Sequence, residues 1–167
     1  MLRQTVFLKD FVLRSELCEA DTAAVGSLIR ETGFFSVAEQ AVAMELVRER
    51  LIRGAESGYE FWLLESPQDL LAYICYGLIP CTLASYDIYW IAVLPSMQGK
   101  GLGRYVMRQA EESIRKAGGR QIYIETSSRE QYIGTRLFYL ANGYQETSRL
   151  SNFYAPGDDR VTYAKIL

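Results

Sequence analysis

The sequence predicts an α/β fold built on one sheet of mixed strand direction, and three observations carry that expectation. Apolar spacing alternates between strand-like and helix-like runs in the order β-αα-ββ-β-α-β-α-ββ. Consecutive strands in the first half read as hairpins, which pair antiparallel. One strand–loop–helix–strand unit follows, spanning Tyr86 to Thr126, and its right-handed crossover makes a parallel pair. A doubly wound fold needs more such alternating units.

Each element has its own warrant. Phe11–Leu13 reads as the first strand, after a short N-terminal extension over residues 1–10. A helix is predicted from Glu19 to Glu31, with Val25, Leu28 and Ile29 inward and Gly33 as its stop. Ser36, with Glu39 three residues later, is a capping-box pattern that opens a second helix reaching Arg53. Tyr59–Glu65 and Leu70–Tyr76 read as strands joined by the turn Ser66-Pro67-Gln68-Asp69. Tyr86–Leu94 is a β-rich apolar run ended by Pro95. Beyond it Leu102, Val106, Ala110, Ile114 and Ala117 recur near helical spacing until Gly118-Gly119. Gln121–Thr126 is a short strand, and a helix over residues 130–141 turns Ile133, Leu137, Leu140 and Ala141 inward. Tyr144–Leu150 and Arg160–Ile166 close the sheet, joined by an eight-residue loop, Ser151–Asp158. At 167 residues the chain is read as one domain, 1–167, large enough to bury ~70 % of its unfolded surface.

Composition narrows the function. The net charge of −2 and the lack of a basic block exclude nucleic acid and a polybasic membrane contact as expected partners. Apolar residues near the N-terminus are interrupted by Arg3, Lys9, Asp10 and Arg14, so neither a signal peptide nor a membrane span is expected. Three cysteines, Cys18, Cys75 and Cys81, fit neither a disulfide framework nor a zinc motif, and the protein is read as cytoplasmic and metal-free. No histidine occurs, which excludes Ser-His-Asp and Cys-His catalysis. An enzyme of this sequence draws its acid and base from Asp, Glu, Tyr, Cys, Lys or water. Cys75 and Cys81 lack a histidine partner and are not read as nucleophiles.

Gln98-Gly99-Lys100-Gly101-Leu102-Gly103 is the most informative stretch. Glycines between a strand and a helix N-terminus let backbone N–H groups approach an anion where the helix dipole is positive. A P-loop is rejected, because Lys100 is followed by Gly101 rather than Ser or Thr and the first glycine is missing. A dinucleotide fingerprint fits poorly: Arg104 stands where the third glycine belongs, and most of the chain precedes the motif. A plain solvent-exposed turn would not need three glycines in five residues.

The run Ile91–Arg104, Ile-Ala-Val-x-Pro-x-x-Gln-Gly-Lys-Gly-Leu-Gly-Arg, resembles the acyl-CoA-binding motif of the GNAT superfamily of N-acetyltransferases. Gln98, Gly101 and Gly103 fill its Gln/Arg-x-x-Gly-x-Gly/Ala pattern. Thr135–Tyr144 is similar to the family's later segment, (small)-x-x-Phe/Leu-Tyr-x-x-x-Gly-Phe/Tyr. The likeness extends over Phe11–Leu167 in element order and over Tyr86–Tyr144 in motif.

The resemblance implies a mainly antiparallel sheet with a splayed parallel strand pair at the cofactor site and helices on both faces. It implies acetyl-CoA as cosubstrate, with Ile91, Ala92 and Val93 offering backbone groups to the pantetheine arm and Gly99 to Arg104 holding the pyrophosphate. Lys100 and Arg104 add cations beside it. The Val93 amide would serve as oxyanion donor, and Tyr139 matches the family's general acid near the sulfur. For the base, Glu125 comes first, Asp87 second, and water remains open. The acceptor would be a primary amine of a small molecule or peptide, selected by Gly33-Phe34-Phe35, the Leu78–Ser85 loop and the segment from Asn152 to Asp159. Asp158-Asp159 would suit a cationic acceptor or simply a solvated turn. The family likeness also admits a homodimer. The alternative function is a non-catalytic acyl-CoA-binding or sensing module.

Overall fold

The computed structural model describes residues 11–167, so the extension expected over residues 1–10 lies outside the described residues. In chain order the elements are β1 (Val12–Arg14), α1 (Ala20–Thr32), α2 (Val37–Arg53), β2 (Glu60–Glu65), β3 (Leu70–Leu78), β4 (Ser85–Val93), α3 (Leu102–Lys116), β5 (Gln121–Ser127), α4 (Ile133–Ala141), β6 (Gln145–Ala155) and β7 (Asp158–Ile166). The strands form one sheet in the order β1-β2-β3-β4-β5-β7-β6. The β4–β5 pair is parallel, while β1–β2, β2–β3, β5–β7 and β6–β7 are antiparallel. This is the mixed, mainly antiparallel α/β architecture that the sequence predicts. The described residues fall into two compact units, residues 11–76 with Trp90–Ala110 and residues 77–89 with Glu111–Leu167.

In the first unit, α1 and α2 cover one face of the strands. Val25, Leu28 and Ile29 of α1 meet Ala43 and Val47 of α2, together with Phe61, Leu63, Tyr73, Cys75 and Ala92 of the sheet. Ala72, Ile74 and Tyr76, which alternate with Tyr73 and Cys75 along β3, are buried as well, so this strand has no solvent face. The capping box forms as expected: Ser36 Oγ accepts from the Glu39 amide at 3.2 Å, and Glu39 Oε2 accepts from the Ser36 amide at 2.7 Å. One tie is not legible in the sequence. Arg14 of β1 donates to Asp21 of α1 at 2.5 and 2.8 Å and to Glu65 of β2 at 2.9 and 3.1 Å.

In the second unit, Ser85–Ile88 run parallel to Gln121–Ile124, and β5 pairs along its length with β7. Ile122, Ile124, Val161 and Tyr163 are buried with Ile114 of α3 and Tyr139 of α4. Glu111 of α3 is buried but satisfied, accepting from the Tyr144 hydroxyl at 3.0 Å and from Lys165 Nζ at 2.9 Å. The helix stop at Gly118-Gly119 has a steric basis, since a Cβ on Gly119 would collide with Ile114 Cγ2.

Two expectations are corrected here. The loop expected over Ser151–Asp158 is mostly strand: β6 continues to Ala155 and β7 starts at Asp158, leaving Pro156-Gly157 as the turn. Hydrogen bonds from the Asn152 amide to Asp159 Oδ1 at 2.9 Å and from the Gly157 amide to Asn152 Oδ1 at 2.8 Å stand in for regular pairing there. The second correction concerns α4. Ile133, Leu137 and Leu140, expected inward, are 45 %, 59 % and 49 % exposed, and Ala141 is exposed too. The inner side belongs to Tyr139 and to Arg136, whose guanidinium donates to the Ser127 and Arg129 carbonyls at 2.8 and 3.0 Å.

Candidate active site

The glycine loop lies in the first unit. Pro95–Met97 make a 3₁₀ turn, the Met97 amide donates to the Leu94 carbonyl at 2.8 Å, and the Gln98 amide donates to Pro95 at 3.3 Å. The chain then passes through left-handed conformations at Gly99 (φ 73°) and Gly101 (φ 90°), which side chains with a Cβ rarely adopt. A Cβ at either position would meet nothing within 4 Å, so backbone conformation rather than protein packing requires these glycines. The first backbone bond into α3 runs from the Tyr105 amide to the Gly101 carbonyl at 3.0 Å. The amides of Leu102, Gly103 and Arg104 therefore have no partner within the helix, as at any helix start. Among the described residues, no hydrogen bond engages the amides of Gly99, Lys100 or Gly101 either.

These unoccupied donors, at the positive end of a fifteen-residue helix and beside the Lys100 and Arg104 cations, fit the diphosphate of a CoA thioester. Gln98, expected in the cofactor motif, ties the loop to the strand end, its Nε2 donating to the Val93 carbonyl at 3.2 Å. The Lys100 ammonium is exposed beside Met97 Sδ at 3.5 Å. Leu102 is buried, as is Ala92, which packs in the α1–α2 core, while Ile91 and Val93 are half-buried. The Leu94 amide donates to the Leu71 carbonyl at 2.8 Å, and successive strand amides point to opposite edges. The Val93 amide thus points away from β3.

The carboxylates lie in the second unit. The parallel register ends at Ile88↔Ile124, although β4 continues to Val93 and β5 to Ser127. Asp87 is in register with Tyr123, and Glu125 stands two residues further along, so all three share one face. It is the face opposite Ile124 and Tyr163, against which Tyr139 of α4 packs. Asp87 is half-buried and makes no hydrogen bond with another described residue; burial, and then the Glu125 charge, push its carboxyl above the usual range. Glu125 is 45 % exposed and lies 3.5 Å from the Arg160 guanidinium.

Tyr139 is 5 % exposed, with its ring 5.6 Å from that of Tyr163 and 6.3 Å from that of Tyr144. Burial, with lesser effects from Tyr132 and Tyr163, pushes its phenol well above its ordinary value. It therefore remains a proton donor across the physiological range. Burial does the same to the Cys75 thiol, which suits packing and not attack.

Asp158 and Asp159, weighed as a charge for a cationic acceptor, are otherwise engaged. Asp158 is buried, accepting from Ser127 Oγ at 2.5 Å and pairing with Arg129 at 3.1 Å. Asp159 accepts from the Asn152 amide and pairs with Arg149 at 3.4 Å. Sequence reasoning put Phe153 in the acceptor segment and Arg160 on the last strand but gave Arg160 no role and did not pair the two, whose ring and guanidinium are stacked 4.4 Å apart. The signal available was strand parity on the last hairpin, hidden by reading residues 151–158 as loop. Among the described residues no cluster of Cys, Asp and Glu could hold a metal, and no helix is long and apolar enough to cross a membrane.

A mixed β-sheet with one parallel pair, interrupted past Ile88, and a glycine-rich entry into the following helix define an α/β protein with an anion-accepting helix start. The sequence matches the acetyltransferase (GNAT) domain over residues 57–146, and the chain belongs to that family. A GNAT-family protein from Desulfovibrio desulfuricans described as an acetyltransferase is similar at 38 % identity and a TM-score of 0.91, over 93 % of this chain and 98 % of its own. The ribosomal-protein-S18-alanine N-acetyltransferase from Escherichia coli shares the fold at 19 % identity and a TM-score of 0.74, over 93 % of both chains. So does an aminoglycoside 6'-N-acetyltransferase complexed with coenzyme A, at 16 % identity and a TM-score of 0.73, over 93 % of this chain and 96 % of that one. Among proteins of curated function, none matches the sequence.

Proposed function

We propose that the protein is an N-acetyltransferase that moves an acetyl group from acetyl-CoA to a primary amine of a small molecule or peptide, by direct transfer in a ternary complex. The observation that carries this reading is the run of unengaged amides from Gly99 to Arg104, behind two glycines of positive φ, within a GNAT acetyltransferase family chain. Acetyl-CoA bound there would supply the thioester whose acetyl group is transferred.

The chain's own residues divide the remaining roles. Amides of residues 99–104, with Lys100 and Arg104, neutralise and hold the diphosphate. The Val93 amide, pointing away from β3, donates to the carbonyl oxygen as negative charge develops on it. A carboxylate of the Asp87–Glu125 face takes the proton that makes the amine nucleophilic. Tyr139, kept protonated by burial, donates its phenol proton to the leaving sulfur.

The test is thiol release from acetyl-CoA against a panel of small amines, polyamines, aminoglycosides and peptide N-termini. An active acceptor is expected, and Tyr139→Phe should lower kcat by about a hundredfold while CoA still binds. A protein that binds CoA tightly yet releases no thiol with any amine would be a sensing module instead.

A further inference from the structure

The open face of the second unit holds a charge arrangement that neither motif reaches. Arg160 lies across from Ser127 in the β5–β7 register, which makes it the diagonal neighbour of Glu125 on the same face. Its guanidinium is seated on the Phe153 ring at 4.4 Å and reaches Glu125 Oε1 with Nη1 at 3.5 Å. Arg160 Nε is sealed from solvent and has no hydrogen-bond partner among the described residues. Asp87, two positions along that face, has no hydrogen bond to any described residue.

We propose that Arg160 is a positioning residue: seated on Phe153, it pairs with Glu125 and leaves Asp87 as the carboxylate that takes the acceptor's proton. The need for an acceptor rests on the acetyltransferase reading above; the division of labour rests on the strand geometry. A half-buried carboxylate with no cation partner of its own, beside a second carboxylate, is the stronger base, and that is the position of Asp87. The step is a single proton transfer from the ammonium nitrogen to an Asp87 oxygen, which frees the nitrogen lone pair and requires no other reactant. The Glu125 charge then favours the cationic form of the acceptor on arrival.

Few charges bear on Asp87. Its own strand brings Tyr89, β5 brings Tyr123 and Glu125, β7 brings Arg160, and β6 is in register there through Gln145 and Ser148. The titratable groups of β3 are Tyr73, Cys75 and Tyr76. Phenols and a thiol carry no charge where carboxyls titrate, so Glu125 and the cation that balances it set the local field.

The experiment is a ¹³C NMR titration of side-chain carboxyls in wild type, Arg160→Gln, Arg160→Lys, Glu125→Gln and the Arg160→Gln/Glu125→Gln double variant. Removing Glu125 should move the Asp87 midpoint down. Arg160→Gln should move it up, because the Glu125 charge is then unbalanced, and Arg160→Lys should leave it near wild type. In the Glu125→Gln background the effect of Arg160→Gln should shrink to the direct pull of the Arg160 charge on Asp87. The acid limb of kcat/KM should follow the same order, with turnover lost in Asp87→Asn. An Asp87 midpoint indifferent to Arg160→Gln, or one that moves equally with and without Glu125, overturns the positioning role. Turnover that survives Asp87→Asn and is lost in Glu125→Gln overturns the division. If Arg160→Gln does not fold, Arg160→Lys and Glu125→Gln still give the readout. The titration needs no substrate, so failure to find an acceptor would count against the acetyltransferase reading alone.

Discussion

Two places in this chain combine one arginine with two carboxylates, and they are built in opposite ways. Around Arg14 every partner is spoken for: Asp21 is 3 % exposed, hydrogen-bonded by the guanidinium and by the Cys18 amide, and Glu65 takes the other side of the fork. Around Arg160 the contact to Glu125 is 3.5 Å, Glu125 is 45 % exposed, and Asp87 has no hydrogen-bond partner among the described residues. The two aspartates respond accordingly. Burial alone would raise the Asp21 carboxyl, but the Arg14 and Cys18 hydrogen bonds outweigh it and hold it below the usual range. At Asp87 no hydrogen bond from a described residue offsets burial and the neighbouring anion, and its carboxyl is raised. A closed charge cluster stabilises a fold, whereas an open one retains a group able to exchange a proton with a ligand.

The contrast breaks if the two aspartates behave alike on substitution. Asp87→Asn should cost about a thousandfold in kcat/KM, since a positioned base contributes that order of rate, with no loss of melting temperature. Asp21→Asn should do the reverse, lowering stability by about 2 kcal/mol in urea titrations by removing the charged hydrogen bonds between Asp21 and Arg14 and leaving Arg14 to Glu65 alone, with the activity of the folded fraction unchanged.

A smaller effect, in pH, sharpens the comparison. The folded value of Asp21 lies below the unfolded one, so its stabilisation is complete above the unfolded value and is lost as pH falls through the folded value. For Asp87 the folded value lies above, so stability gained by holding the proton is present below the unfolded value and lost as pH rises through the folded one. Urea melts between about pH 3 and pH 7 should show the acid-side loss flattened in Asp21→Asn and the decline on raising pH removed in Asp87→Asn.

What was legible in the sequence follows the range of the interaction. The glycine loop could be read because positive φ at Gly99 and Gly101 is a local demand that only glycine meets cheaply. The Ser36–Glu39 box and the α3 face of Leu102, Val106, Ala110 and Ile114 could be read for the same reason, although Ala117 proves exposed beyond the end of the helix. The inner face of α4 could not, because a short helix with apolar residues on every side leaves its orientation to the partners of Arg136. Asp87 and Glu125 were found as strand positions, yet their difference lies in Arg160 and Phe153, which a distant hairpin brings to Glu125.

The central claim is that the backbone at the start of α3 grips the diphosphate of CoA. Amide ¹⁵N–¹H spectra recorded while CoA, and separately pantetheine, is titrated into the protein test it directly. The account predicts that CoA moves the Gly99 to Arg104 resonances, slows their hydrogen exchange and binds far more tightly than pantetheine, which lacks the diphosphate. CoA binding that leaves those resonances in place, or pantetheine binding equally well, would contradict it.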